Sequence, residues 1–326
     1  MNRRKFVFTS TIFLVVITVA VAGLAFFTNF AARAFVPELP NAIHYLPADA
    51  HAVFGMNVPK FIASPIYAEF MAKHGTEVGA DLTEFIAKTG VDPRQDIAYI
   101  IAAGRPAEHK EAGVVIAVGK FDAAAITSFI NSKGTPINVD YKGANVLMVP
   151  EADGTRLEKG IAFLSASEIA LGDLESLKAV LDVRSHSLPS IDGTSLADLL
   201  KNLNSNEMFW FAGNPASILA KAPANSPFVP SLSAVRSVFG TLNLTSRVEG
   251  KITVAATSDV AAGQLADFVR GLIALGNLAG GQNPDVAELV RSVQIVQRTD
   301  EFDVTVNFPM ELIHRLGAAK AQLIKK

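Results

Sequence analysis

Few side chains in this sequence could do chemistry, and their spacing does little to assemble it. There are six histidines: His44, His51, His74, His109, His186 and His314. None lies in His-x-His or His-Glu-x-x-His, the spacings that set two imidazoles around one zinc ion, and His109-Lys110-Glu111 lacks the second imidazole. The chain has no cysteine. That removes thiolate metal sites, thiol nucleophiles, disulfides and lipid attachment through Cys. The Gly-x-Ser-x-Gly turn that exposes a nucleophilic serine is missing. So are Gly-x-Gly-x-x-Gly and the phosphate-cradling Gly-x-x-x-x-Gly-Lys-Ser/Thr. Ser176-Leu177-Lys178 has the wrong spacing for Ser-x-x-Lys.

The densest polar cluster is Asp92-Pro93-Arg94-Gln95-Asp96. Two carboxylates about an arginine could serve general acid–base work. The same residue types make a helix-to-strand turn, which is the reading adopted. Asp122, Asp173 and Asp259 each precede a helical stretch, where a carboxylate accepts free amide hydrogens of the first turn. Asn243-Leu244-Thr245 matches a glycosylation acceptor but falls within an expected strand. No catalytic, cofactor-binding or metal-binding residue is assigned, no cofactor is expected, and the chain reads as non-enzymatic.

Alternating strand and helix patterns supply the frame. Ala52–Val58 reads as a strand, then a helix starts at Pro59 and ends at Gly75, and Val78–Lys88 reads as a second helix stopped by Gly90. Ile97–Ala103 and Gly113–Val118 read as strands around a polar, hairpin-like stretch, 105–111. A helix from Asp122 to Ile130 follows, then strand pairs Ile137–Tyr141 with Asn145–Val149 and Gly160–Ser165 with Glu168–Gly172, then a helix Leu174–Val183. After a loop at 184–194 come a helix Ser195–Leu203, a strand Met208–Ala212, a helix Pro215–Lys221 and a Pro/Ser/Ala loop to 233. Next are a short helix Leu232–Phe239, a hairpin Ser237–Glu249 with Lys251–Thr257 turning at Gly250, and a long helix Val260–Leu278. The chain closes with a helix Asp285–Ser292, a hairpin Val293–Arg298 with Glu301–Phe308, and a helix Pro309–Lys326 with a basic end. Antiparallel hairpins with helices on one side define an α+β class with antiparallel sheets. The order of elements suggests two related halves. The expected domains are 1–34, 35–50 (a proline-bearing linker), 51–186 and 187–326.

The first segment sets the location. Met1-Asn2-Arg3-Arg4-Lys5 is basic, and the 27 residues Phe6–Ala32 carry no charge. About 20 apolar residues cross a hydrocarbon core of roughly 30 Å, and positive flanks stay on the cytoplasmic side. The expectation is a single-pass inner-membrane anchor through residues 6–32, with a cytoplasmic N-terminus and the globular part in the periplasm or outside. The alternative is export and cleavage after Ala34, because Ala32-Arg33-Ala34 offers small residues at signal-peptidase spacing. Asn2-Arg3-Arg4-Lys5-Phe6-Val7 also resembles the twin-arginine export signal, without its usual Ser or Thr before the pair.

Four of the 29 basic residues lie in the first 34 positions, which leaves 25 against 31 acidic ones, a net charge of −6. Phosphate backbones want a concentrated basic face, so nucleic acid is not an expected partner. Phe is abundant while Tyr and Trp are scarce, a core-forming usage rather than a stacking surface.

Leu46-Pro47-Ala48-Asp49-Ala50 entering a strand, Ser64-Pro65 in the next helix, and Thr89-Gly90-Val91-Asp92-Pro93-Arg94-Gln95-Asp96 before another strand form a recognisable series. It resembles bacterial envelope proteins without assigned activity that carry one N-terminal membrane segment and a large outer α+β region. The resemblance covers about residues 45–120. It implies a location and a rough fold, and it brings no functional residues.

Three functions remain open. The leading one is a membrane-anchored extracytoplasmic protein of interaction or scaffold type that binds an envelope protein or component. The second is a carrier or binding protein for a lipid or other apolar ligand. The third is a hydrolase whose site is assembled from distant residues, which requires a cleft holding a His close to an Asp and a Ser.

Overall fold

The structure is a computed structural model of the full chain, and it describes residues 40–105, 112–150, 157–214, 233–280 and 283–316. The membrane-length segment 6–32, the stretch 106–111 and the expected helix 215–221 lie outside them. Among the described residues no helix is long and apolar enough to cross a membrane. The fold is α+β with antiparallel strands. It divides into two compact units, one carrying 40–63 and 67–198, the other 199–316 with Ser64–Ile66.

In the first unit, strands β1 (Ala52–Asn57), β2 (Ile97–Arg105), β3 (Ala112–Gly119), β4 (Ile137–Tyr141), β5 (Ala144–Pro150), β6 (Leu157–Ser165) and β7 (Glu168–Gly172) lie in the order β1-β2-β3-β7-β6-β5-β4. The helices are α1 (Val58–Ile62), α2 (Pro65–Thr89), α3 (Pro93–Asp96), α4 (Ala123–Lys133) and α5 (Leu174–Arg184). α6 (Ser195–Leu200) follows at the passage to the second unit. α5 packs on β3, β5, β6 and β7, and Leu177, Val180, Ile116, Leu147 and Met148 are fully buried. Gly160 leaves the helix room there, because a Cβ would fall 2.9 Å from the Leu147 carbonyl oxygen and would push Met148 Sδ, 2.2 Å away, aside.

The second unit holds α7 (Asp259–Gly280) and α8 (Pro284–Arg291), with strands β8 (Phe209–Gly213), β9 (Val235–Leu244), β10 (Arg247–Ala256), β11 (Val293–Gln297) and β12 (Glu301–Pro309) in the order β11-β12-β10-β9-β8. Ala262, Leu265 and Ala266 of α7 close a core over Val235, Ala256 and Phe302. Trp210 of β8 is completely buried.

Several elements depart from the sequence expectation. Residues 65–89 form one helix through Gly75 and Gly79 rather than two. Each interior glycine costs only about 1 kcal/mol, and the aromatic face continues past them, with Phe85 edge-on to the buried Phe129 of α4 at 5.3 Å. Gly90 does stop the helix, in the left-handed region (φ 70°) with its N–H on the Ile86 carbonyl. The stretch read as a linker contains a 3-10 helix, Asn41–Tyr45, and buries Ala42, Ile43 and Leu46. Of the expected helix 232–239, residues 235–239 are instead the start of β9, whose Val235 and Ser237 face inward. The β9–β10 hairpin turns at Thr245-Ser246 rather than Gly250. Asp259 does not cap the long helix. It is the first helical residue, and Ser258 Oγ accepts the N–H of Ala261. The other two caps are as expected: Asp122 accepts from Ala125 N at 2.9 Å and Asp173 from Ser176 N at 2.9 Å.

Candidate functional site

Two surfaces collect what could be functional. The first is a cavity of about 470 Å³ in the first unit, lined by the 3-10 helix, the end of α5 and the loop after it. Backbone bonds set its walls. Ile191 N–H donates to the Leu46 carbonyl (2.7 Å), Ala48 N–H to the Pro189 carbonyl (3.0 Å), and Pro47 bridges Ser190. His186, at φ 57°, turns the chain away from α5. Arg184 lies 5.7 Å from the centre of the Tyr45 ring, a cation–π distance.

This cavity brings together a His, an Asp and a Ser. His44 Nδ1 lies 2.7 Å from Asp192 Oδ1, so the proton sits on Nδ1 facing the carboxylate, and Ser190 Oγ donates to Asp192 Oδ2 at 2.8 Å. The order is wrong for nucleophile activation. A catalytic serine must donate to the imidazole, with the carboxylate behind it. Here the carboxylate stands between the two, and both members of the His44–Asp192 pair are about half exposed. The contacts tie the 3-10 helix to the 185–192 loop.

The remaining candidates are engaged in structure. Asp92 Oδ1 accepts from Arg94 N (3.0 Å) and Nε (2.9 Å), and its Oδ2 accepts from Arg94 Nη2 (2.8 Å) and Gln95 Nε2 (3.0 Å). The Arg94 bond, against some burial, holds the Asp92 carboxyl below the usual carboxylate range. Asp96 accepts the Asp92 N–H at 2.7 Å. The pair thus caps and closes α3, as the turn reading requires. Asn243 Oδ1 accepts the Met208 N–H (2.8 Å) while its amide donates to the buried Glu207, which occupies the glycosylation-type asparagine. His74 lies against Phe70, ring centres 5.2 Å apart. Among the described residues no group of three or more His, Asp or Glu is placed to hold a metal. Asp49 of the Leu-Pro-Ala-Asp stretch grips the buried Arg105 with two bonds, 2.8 and 2.6 Å, and that contact raises the guanidinium pKa.

The second surface is on α7. Leu265, Ala266 and Ala262 are buried, yet Phe268, Leu272 and Leu275, at i, i+4 and i+7, are 40%, 48% and 63% exposed, and Leu278 is 77% exposed. From Gly271 to Gly280 the helix carries no charge. The nearest charges, Asp267 and Arg270, pair with each other at 2.6 Å. On the α8 side Gly276 fits against Val290, where a Cβ would fall 2.7 Å from Cγ2. The sequence shows these leucines as apolar helical positions. Which of them lacks a cover depends on where the sheet ends beneath the helix, and periodicity does not carry that.

No protein-family model matches the chain, and no curated protein matches it. Among solved structures the chain is similar to TP0453. Crystal form III aligns with a TM-score of 0.50 at 8% identity, over 85% of this chain and 96% of that one. Crystal form I gives a TM-score of 0.47 at 8% identity, over 86% and 98%. The likeness is one of fold, an α+β chain built on antiparallel strands.

Proposed function

We propose that this chain is a membrane-anchored extracytoplasmic protein of interaction or scaffold type, non-enzymatic, held by residues 6–32 and working through the stripe on α7. The observation that carries this reading is the row Leu272, Leu275 and Leu278, left 48–77% exposed in the uncharged helical stretch 271–280. Contiguous exposed apolar rows mark contact surfaces. Spacing of i, i+4 and i+7 is how an amphipathic helix docks in an apolar groove or against another helix. A helix lying on anionic lipid would carry Lys and Arg along its polar side. Residues 271–280 carry none, and the chain outside the first segment is net negative. The occupant is therefore an apolar, uncharged helix or groove on an envelope protein. The non-enzymatic part rests on how Asp92, Asp173, Asp192 and Asn243 are spent on caps and ties.

The test compares the wild-type chain with a Leu272→Glu/Leu275→Glu variant, each solubilised from its own membranes in mild detergent and run on native gels. The wild type is expected in a complex whose mass is no multiple of its own, and the variant to lose the partner's mass. Identical migration of the two overturns the proposal. A photoreactive side chain at position 275 separates the second reading. A polypeptide adduct is expected, and an adduct with lipid alone would replace this reading with that of an apolar-ligand carrier.

A further inference from the structure

We infer that the open edge of β11 pairs with β11 of a second copy of this chain. Among the described residues β11 is the outermost strand of its unit and bonds to β12 alone, on one side. Its register with β12 runs unbroken from Val293↔Val306 to Gln297↔Phe302, with no bulge. An edge of this kind exposes a row of unpaired N–H and C=O groups, and chains that avoid association blunt it with charge, proline or a bulge. Val293-Gln294-Ile295-Val296-Gln297 has none of these devices, and Val296 is 53% exposed. The outer strand of the first unit contrasts with it. β4 carries Asp140 and runs into Lys142, and Tyr141 is tied to Asp182 by hydroxyl bonds of 3.0 Å to each carboxylate oxygen. β4 thus carries a charge within the strand, whereas β11 carries none between Arg291 and Arg298.

The chemistry of the β11 edge selects its partner. A strand that adds here meets its main-chain groups over about 17 Å, and side chains decide which strand fits. An antiparallel pair related by a two-fold axis normal to the sheet joins residues that lie on the same face. Centred on Ile295, this places Ile295 across from Ile295 of the second copy, and Gln294 across from its Val296. The β-branched pair is favourable, and no charge stands opposite a like charge: Arg298 falls across from Ser292 of the second copy. Ile295 packs with the α7 core, so the axis sets both helix-bearing faces on the same side and continues one apolar layer through the seam. The edge and the α7 stripe are separate surfaces, and this pairing stands whether or not the stripe binds a protein.

The absence of cysteine makes the test clean. Antiparallel partners have Cα atoms about 4.5–5.5 Å apart, within disulfide range. The full chain in mild detergent, as Ile295→Cys, is expected to form a covalent dimer under mild oxidation. Asn138→Cys on the β4 edge is expected to stay monomeric. Adding Val296→Lys to Ile295→Cys is expected to cut the dimer yield at least tenfold, with far-UV circular dichroism unchanged because Val296 is an exposed position. Flanking variants Gln294→Cys and Val296→Cys cover a shifted register. Absence of covalent dimer at 294, 295 and 296 overturns the inference. So does a yield at 138 equal to that at 295, or a yield indifferent to the lysine.

Discussion

Replacing Asp173 tests how one carboxylate joins helix to sheet. Its Oδ1 accepts the Ser176 N–H, which caps α5, and its Oδ2 accepts both Ser176 Oγ (2.9 Å) and the N–H of Gly113 in β3 (3.2 Å). Asp173→Ala removes a cap worth about 1 kcal/mol. It also strands the buried Ser176 hydroxyl and the Gly113 amide, each at about 1 kcal/mol, for a total near 3 kcal/mol. Asp122 is the internal comparison, since it caps α4 from an exposed position through the Ala125 N–H. Asp122→Ala is expected to cost about 1 kcal/mol. Asp173→Asn keeps the cap but turns an amide toward the Gly113 N–H, an intermediate loss of about 1–2 kcal/mol. Urea unfolding of the full chain in mild detergent, followed by far-UV circular dichroism, gives the differences from midpoints at a common slope. The pH dependence has a definite sign. Burial pushes the Asp173 carboxyl up, but the bonds from Ser176 and Gly113 outweigh it, and the net shift is downward. A lowered folded-state pKa gives stability that is present above the unfolded value of about 3.9 and is lost as pH falls through the folded value. The gap between wild type and Asp173→Asn should therefore be full at pH 7 and narrow below about pH 4. An Asp173→Ala loss no larger than that of Asp122→Ala, or a gap that widens in acid, would refute the reasoning.

Four further substitutions probe the second unit by thermal melts. Gly240→Ala would set a Cβ 2.3 Å from the Lys251 carbonyl and 3.0 Å from the Phe211 ring and should cost about 3 kcal/mol; Gly271→Ala, with open space around it on α7, should instead stabilise by up to about 1 kcal/mol. Asp303 is buried between Lys251, Arg298 and Thr253, the last bonded at 2.6 Å; Asp303→Leu should cost about 3 kcal/mol by removing the buried carboxylate that Lys251 and Arg298 share, and adding Lys251→Met should recover at least about 1 kcal/mol.

The sequence was most legible where one residue's chemistry decides the local structure. Asp122 and Asp173 announce their helices because a carboxylate there satisfies free amides, and Gly90 announces a stop because it takes φ 70°. It was least legible where distant packing overrules a local signal. Gly75 reads as a helix end, yet α2 continues past it. Gly250 reads as a turn, yet it lies inside β10, opposite Val306 of β12. Ser258 outcompetes Asp259 as the cap by one position. The prolines of 35–49 suggest extended chain, yet Leu46 is fully buried beneath the loop whose Ile191 it bonds. The His44–Asp192–Ser190 group joins residues almost 150 positions apart, and no spacing rule reaches that far. The α7 leucines were visible as apolar, but an unroofed face is a property of the neighbours.

The chromophores are sorted between the two units. Tyr45, Tyr67, Tyr99 and Tyr141 all lie in the first, while Trp210, the sole tryptophan, is sealed inside the second. Light absorbed at the red edge therefore interrogates the second unit alone, and tyrosine emission follows the first. The chain carries its own two-colour optical label, and whether the halves melt together or in succession can be read without attaching a dye.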